Sequence, residues 1–226
     1  MTLRLFLLLS IIGCMAVFFP RTGMTADPLA DKVQARYASL QSMRADFTQV
    51  LLHKESGGEE ERSGTLYFKK PLLLRWDTAE PVPELLVVGS DGIWNSFPDE
   101  ELAYKYPASL AEDSASLVRV ITGQARLDQD FMIEREADED GLAKLLLYPK
   151  EPTTSVTEVV LWVDAGSGLI KRLRIYDFYS NENDIRFTSQ ESDIVLADSL
   201  FHYTPPEGFT VEDRTDSGAI ENRLLQ

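Results

Sequence analysis

Along the first quarter of the chain the hydrophobic period switches from helical to alternating. Asp27-Pro28 is a helix-start signal, an N-cap acid followed by proline at the first helical position. Leu29, Val33, Tyr37 and Leu40 then recur at helical spacing and predict one amphipathic helix. From Ala45 the period drops to two: Ala45, Phe47, Gln49 and Leu51 alternate with Asp46, Thr48, Val50 and Leu52, the pattern of a strand. Residues 57–61, Gly-Gly-Glu-Glu-Glu, read as a charged, solvated turn, and 64–70 as the returning strand. Strands at 72–77, 85–88 and 93–97 follow, punctuated by a Pro81/Pro83 corner and the Ser90-Asp91-Gly92 turn. Beyond Pro107, Ser109 and Glu112 have capping-box spacing ahead of Leu110, Ser114, Leu117, Val118 and Ile121. They predict a second helix that stops at Gly123 and a further helical segment over 123–130. Strands return at 131–135, 142–148, 156–164, 169–178 and 184–192, with turns at 138–141, 165–168 and 181–183. Residues after Arg214 are polar and are expected to fray.

Short turns between successive strands imply an antiparallel meander of about 11 strands with few helices, an α+β chain. Some strands are apolar on both faces: Val159, Leu161 and Val163 alternate with Val160 and Trp162. Two helices cannot cover a sheet that large. The sheet must curl on itself with helices closing one side, around either an apolar space or a packed core.

The N-terminus changes the accounting. Arg4 precedes an apolar run from Leu5 to Phe19, and Gly23-Met24-Thr25-Ala26 is a small-residue, cleavage-like stretch. About 15 apolar residues is short for a membrane span, so 1–26 reads as a secretory signal peptide, with an uncleaved anchor as the alternative. The mature chain then begins at residue 27, with one domain over 27–214 and a tail over 215–226. Cleavage removes Arg4, Arg21 and Cys14, leaving a cysteine-free protein two charges more negative than the full chain's formal −15. Such acidity argues against nucleic acid and anionic membrane as partners. Ile11-Ile12-Gly13-Cys14 also fits a lipobox, in which Cys14 becomes lipidated. Against this, residues 15–19 continue the apolar run where a polar tether would begin.

Candidate chemistry is sparse. His53 and His202 lack partners at metal spacing, and no serine sits in a Gly-x-Ser-x-Gly elbow. Residues 165–168 join two strands and read as a hairpin turn. Residues 138–141 lack the further ligands of a calcium loop. No catalytic residue, metal site or cofactor is assigned, and an enzyme ranks last.

The informative segment is Ser63-Gly64-Thr65-Leu66-Tyr67-Phe68-Lys69-Lys70-Pro71, followed by Leu74-Arg75-Trp76. With a period of two, Leu66, Phe68 and Lys70 share one face, and Leu74 and Trp76 share one face of the next strand. Lys70 is then either a lone ammonium at the rim of an apolar surface or a lysine snorkelling from an ordinary core. The residues alone leave both open.

In order along the chain, four segments resemble a known family. They are Met43-Arg44-Ala45-Asp46-Phe47-Thr48-Gln49, Ser63 through Trp76, Ser90-Asp91-Gly92 with Trp94, and Phe201-His202-Tyr203-Thr204-Pro205-Pro206-Glu207-Gly208-Phe209. Together, over about residues 28–213, they are similar to the periplasmic outer-membrane lipoprotein carriers of the LolA type. The resemblance implies an incomplete antiparallel β-barrel with a helical lid over a hydrophobic cavity. It implies a periplasmic, monomeric carrier that takes acylated lipoproteins from an inner-membrane ABC-type release complex to an outer-membrane acceptor. Phe47, Leu66, Phe68, Leu74, Trp76 and Trp94 would line the cavity, and Lys70, where the family usually has Arg, would control the lid. Lys grips carbonyls less rigidly than a planar guanidinium. Trp94 also follows its turn sooner than is usual. Two alternatives have the same fold: an acceptor anchored through Cys14, and a periplasmic regulator that senses lipoproteins.

Overall fold

The computed structural model describes residues 27–112, 119, 122, 124–151 and 153–215. The expected signal segment with Cys14, most of the second helix (113–118, 120, 121 and 123) and the tail 216–226 lie outside the described residues.

The helix α1 spans Pro28–Ser39, and its start is the one the sequence specifies: the Asp27 carboxylate accepts from the Leu29 N–H at 2.8 Å, with proline in the first turn. Its buried face is Ala30, Val33 and Tyr37. Twelve strands follow: β1 Ser42–His53, β2 Gly58–Lys69, β3 Leu73–Glu80, β4 Glu84–Gly89, β5 Gly92–Phe97, β6 Leu102–Tyr106, β7 Phe131–Glu139, β8 Leu142–Pro149, β9 Glu158–Val163, β10 Ile170–Tyr176, β11 Glu182–Ser192 and β12 Thr210–Asp213. They form one sheet in the order β12-β6-β5-β4-β3-β2-β1-β11-β10-β9-β8-β7. All pairings are antiparallel except that of β12, which runs parallel to β6.

Twelve strands at about 4.8 Å would span more than about 50 Å if flat, whereas a 12-residue helix covers about 18 Å. Yet Ile93, Trp76, Phe47, Leu173, Leu161 and Leu145, drawn from strands across the whole width, are all at most 2% exposed and belong to one core. The sheet therefore curls over itself. With β12 and β7 as unjoined edges, it is an incomplete barrel. The helix α1, together with Ala111, Ala125 and Leu127, closes the inner face.

Three expectations are corrected. Glu59, Glu60 and Glu61 are not a solvated turn but belong to β2, opposite Leu52, Leu51 and Val50. The strands β6 and β12 escape the alternation signal: β6 is five residues long, and the four residues of β12 are all exposed, so pairing and not burial defines them. Beyond residue 123 the helix shortens to a single turn, Leu127–Asp130, where Phe131 opens β7.

Candidate functional site

Alternation along β1 sends Met43, Ala45, Phe47, Gln49 and Leu51 inward, all buried. Pairing carries that face across the sheet: Ala45 faces Leu66 of β2, Leu66 faces Trp76 of β3, and Phe68 faces Leu74. Phe47 and Trp76 pack with ring centroids 4.3 Å apart, tilted by 43°. Five of the six residues expected to line an apolar interior, Phe47, Leu66, Phe68, Leu74 and Trp76, thus form one continuous surface, each at most 2% exposed.

The sixth, Trp94, is not with them. On β5 it is Ile93 that joins the inner core, so its neighbour Trp94 points to the outer face. There it packs with Val87, Ala103 and Tyr203, whose ring lies 5.7 Å away. The closing segment around Tyr203 and Phe209 covers this patch, and the Tyr203 hydroxyl meets the Ser96 hydroxyl at 2.7 Å. The Phe201–Phe209 motif is thereby a cover for the outer face of β4–β6.

The Ser63-Gly64 pair has an equally concrete role. The β2–β3 register shifts between Ser63 and Gly64, and a Cβ on Gly64 would lie 1.9 Å from the Asp77 carbonyl oxygen. Only glycine lets the strands cross this closely beside Trp76.

Lys69 and Lys70 diverge as alternation requires. The Lys69 ammonium donates outward to the Leu196 carbonyl at 2.9 Å and to Asp198. The Lys70 ammonium donates to the Ala38 carbonyl, in the last turn of α1. Among the described residues the side chains of this helix make three further hydrogen bonds to the rest of the protein, and Arg36 pairs with Asp193 at 4.0 Å. Tyr37 accepts at its hydroxyl from the Ile170 N–H at 3.3 Å, Gln34 accepts from the Leu127 N–H at 3.0 Å, and Lys32 donates to the Ala165 carbonyl at 2.5 Å. Burial drives the Tyr37 phenol far above its ordinary pKa, so it stays protonated. Arg75, between Leu74 and Trp76, points away from the interior and pairs with Asp77 at 2.7 Å.

Two depressions differ in character. A groove of about 640 Å³ on the outer face is lined by Arg62, Arg172, Arg174, Arg186, Glu182 and Asp184 among others. Asp184 accepts from Arg172 at 2.5 Å and from Arg174 at 2.6 Å. Burial pushes its carboxyl up, but these two guanidinium hydrogen bonds outweigh that and hold it below the ordinary range. The groove's charges are largely matched within the protein, so it offers neither an apolar nor a strongly basic surface. A cleft of about 380 Å³ lies between α1 and β7, lined by Pro28, Ala30, Gln34, Leu127, Phe131 and Ile133. Three of these, Ala30, Leu127 and Phe131, belong to the inner core, so the cleft leads toward it.

Sequence reasoning missed the carbonyl that Lys70 meets, the Arg172–Asp184–Arg174 cluster and the inner-face polar residue Asn95. The alternation of Arg172 and Arg174 with Leu173 was a usable signal for the cluster. Among the described residues no group of three or more His, Cys, Asp or Glu could hold a metal ion. No described helix is long and apolar enough to cross a membrane.

Comparison with known proteins adds a consistent picture. A family model described as "Outer membrane lipoprotein carrier protein LolA" matches residues 38–204. An outer-membrane lipoprotein carrier protein of Dechloromonas aromatica is 24% identical, over 80% of this chain and 86% of that protein. One from Methylococcus capsulatus is 26% identical, over 78% of this chain and 84% of that protein. A solved structure of an uncharacterized conserved protein from Thermus thermophilus has the same fold, with TM-score 0.53 and 14% identity. That match covers 82% of this chain and 97% of the other.

Proposed function

The chain belongs to the LolA family of outer membrane lipoprotein carrier proteins, and on that premise we propose that it is a periplasmic carrier holding the acyl chains of lipoproteins against its inner face. The observation that carries this reading is the surface formed by Phe47, Leu66, Phe68, Leu74 and Trp76, covered among the described residues by α1, Ala111, Ala125 and Leu127 and fastened there by a few hydrogen bonds. Each buried CH₂ contributes about 0.8 kcal/mol, so an acyl chain of about 16 carbons represents on the order of 10 kcal/mol. Water cannot hold such a chain in solution. An apolar interior can, provided that it opens.

In the closed structure the five side chains are covered, so loading requires the roof to move. Hydrogen bonds of about 1 kcal/mol each suit a roof that must open and close. The cleft between α1 and β7 is the proposed way in, because it already exposes the edge of the core beside Leu127 and Phe131. Lys70 is proposed to bias the closed state through its bond to Ala38. The outer-face groove is not proposed to take lipid, since its lining is rich in charged groups.

The test is transfer of an acylated lipoprotein from vesicles into solution by the purified protein. The same lipoprotein lacking its acyl groups serves as the control. Soluble complex formed only with the acylated form supports the reading; equal binding of both forms, or of neither, overturns it.

A further inference from the structure

The inner face carries few polar side chains: the Gln49 amide on β1 donates to Asn183 Oδ1 at 2.9 Å, whereas Asn95 on β5 has an amide oxygen without a partner. Strand register builds a single row of opposed residues across it: Ala45, Leu66, Trp76, Leu86, Asn95 and Tyr104. Asn95 stands two residues beyond Ile93, which lies in the inner core, so both point inward. The flanking residues of its own strand, Trp94 and Ser96, face outward to Tyr203. Asn95 is 6% exposed, and its Oδ1 is buried without a hydrogen-bond partner. Leaving an amide oxygen in that state costs about 1–3 kcal/mol, and a leucine at the same position would avoid the cost.

An open acceptor among apolar residues is complementary to a neutral donor attached to hydrocarbon. Hydrocarbon has no donor, and neither has an ester linkage. A fatty acyl chain joined to a peptide through an amide has one N–H, placed where the chain meets the peptide. We propose that Asn95 Oδ1 is the polar anchor of the lipid-binding face, accepting the N–H of an amide-linked acyl group and so selecting acylated peptides over ester lipids of equal length. The inference rests on the carrier reading and makes that reading more specific. The apolar face supplies affinity for any chain, and Asn95 supplies the distinction between linkages.

A pair of lipopeptides that differ by one atom tests this. The first is a palmitoyl-glycyl peptide with an amide linkage, and the second is its glycolyl counterpart, in which oxygen replaces the N–H. Binding of each to the purified protein is measured by displacement of an apolar fluorophore. The wild type should bind the amide roughly tenfold more tightly than the ester, the worth of one buried hydrogen bond. Asn95→Leu should bring the ratio to about one, with ester binding unchanged or stronger. Equal affinity of the wild type for the two, or an unaltered ratio in Asn95→Leu, would overturn the anchor and leave the carrier standing. Binding of neither lipopeptide would overturn both.

Discussion

Replacing Lys70 by leucine removes one fastening of α1 and leaves its apolar seat untouched. The ammonium's bond to the Ala38 carbonyl contributes about 1 kcal/mol net, and a cation at a helix C-terminus contributes about 0.3–1 kcal/mol more. A loss of about 1.5 kcal/mol corresponds to about tenfold easier opening of the helix end. The helix should still dock, because Ala30, Val33 and Tyr37 remain buried and Tyr37, Gln34 and Lys32 keep their bonds. Global stability should fall little, by about 2–4 °C in Tm per kcal/mol for a domain of this size. Native-state hydrogen exchange of the α1 amides reads the local opening directly. Lys70→Leu should exchange about tenfold faster across the last turn of α1, while Lys70→Arg, which keeps charge and donors, should stay near wild type. Lys70→Leu should also load acylated lipoprotein at least as readily, because the roof opens more easily, but should hand it over poorly, because no bond to Ala38 favours closure as the cargo leaves. If its exchange, loading and delivery all match wild type, the lid role is wrong. If Lys70→Arg opens as readily as Lys70→Leu, the bond to Ala38 is not the cause.

Two further outcomes concern the frame that holds the site. Gly64→Ala should cost about 3 kcal/mol or more in urea denaturation, because the new Cβ would lie 1.9 Å from the Asp77 carbonyl oxygen; a loss under about 0.5 kcal/mol would refute the close crossing of β2 and β3. Asp184→Asn should cost about 3 kcal/mol at neutral pH, since it strips Arg172 and Arg174 of their shared carboxylate. The native Asp184 pKa is depressed, so the stabilisation is present above the ordinary value of 3.8 and is lost as pH falls through the lower folded-state pKa. The stability gap between wild type and Asp184→Asn should therefore narrow on acidification below that value, and a gap constant with pH would show that Asp184 is not held as a carboxylate.

The curl of the sheet was legible because Val159–Val163 is apolar on both faces and the chain has too few helices to cover it. The cover of its outer face was not. Trp162 is buried under cationic side chains, with the Arg172 guanidinium 4.2 Å and the Lys144 ammonium 5.3 Å from its ring. Long aliphatic stems with charged ends shield an aromatic as a second layer would, and no hydrophobicity pattern registers them as cover. Trp94 was misplaced for a different reason: the resemblance put it in the interior, while its parity relative to Ile93 put it outside.

What the sequence determined by itself is local. Asp27-Pro28 starts α1, and the period of two places Phe47, Leu66, Phe68, Leu74 and Trp76 on shared faces, because backbone geometry converts spacing into direction. The tertiary structure alone decided which distant partner each direction meets. Lys70 finds a carbonyl 32 residues back in the chain, and the hydroxyl beside Trp94, that of Ser96, finds Tyr203 from 107 residues ahead. Asn95 finds no partner for its oxygen. Those outcomes depend on strand register and on the curvature that brings remote segments over one another, and neither is written in any window of neighbouring residues.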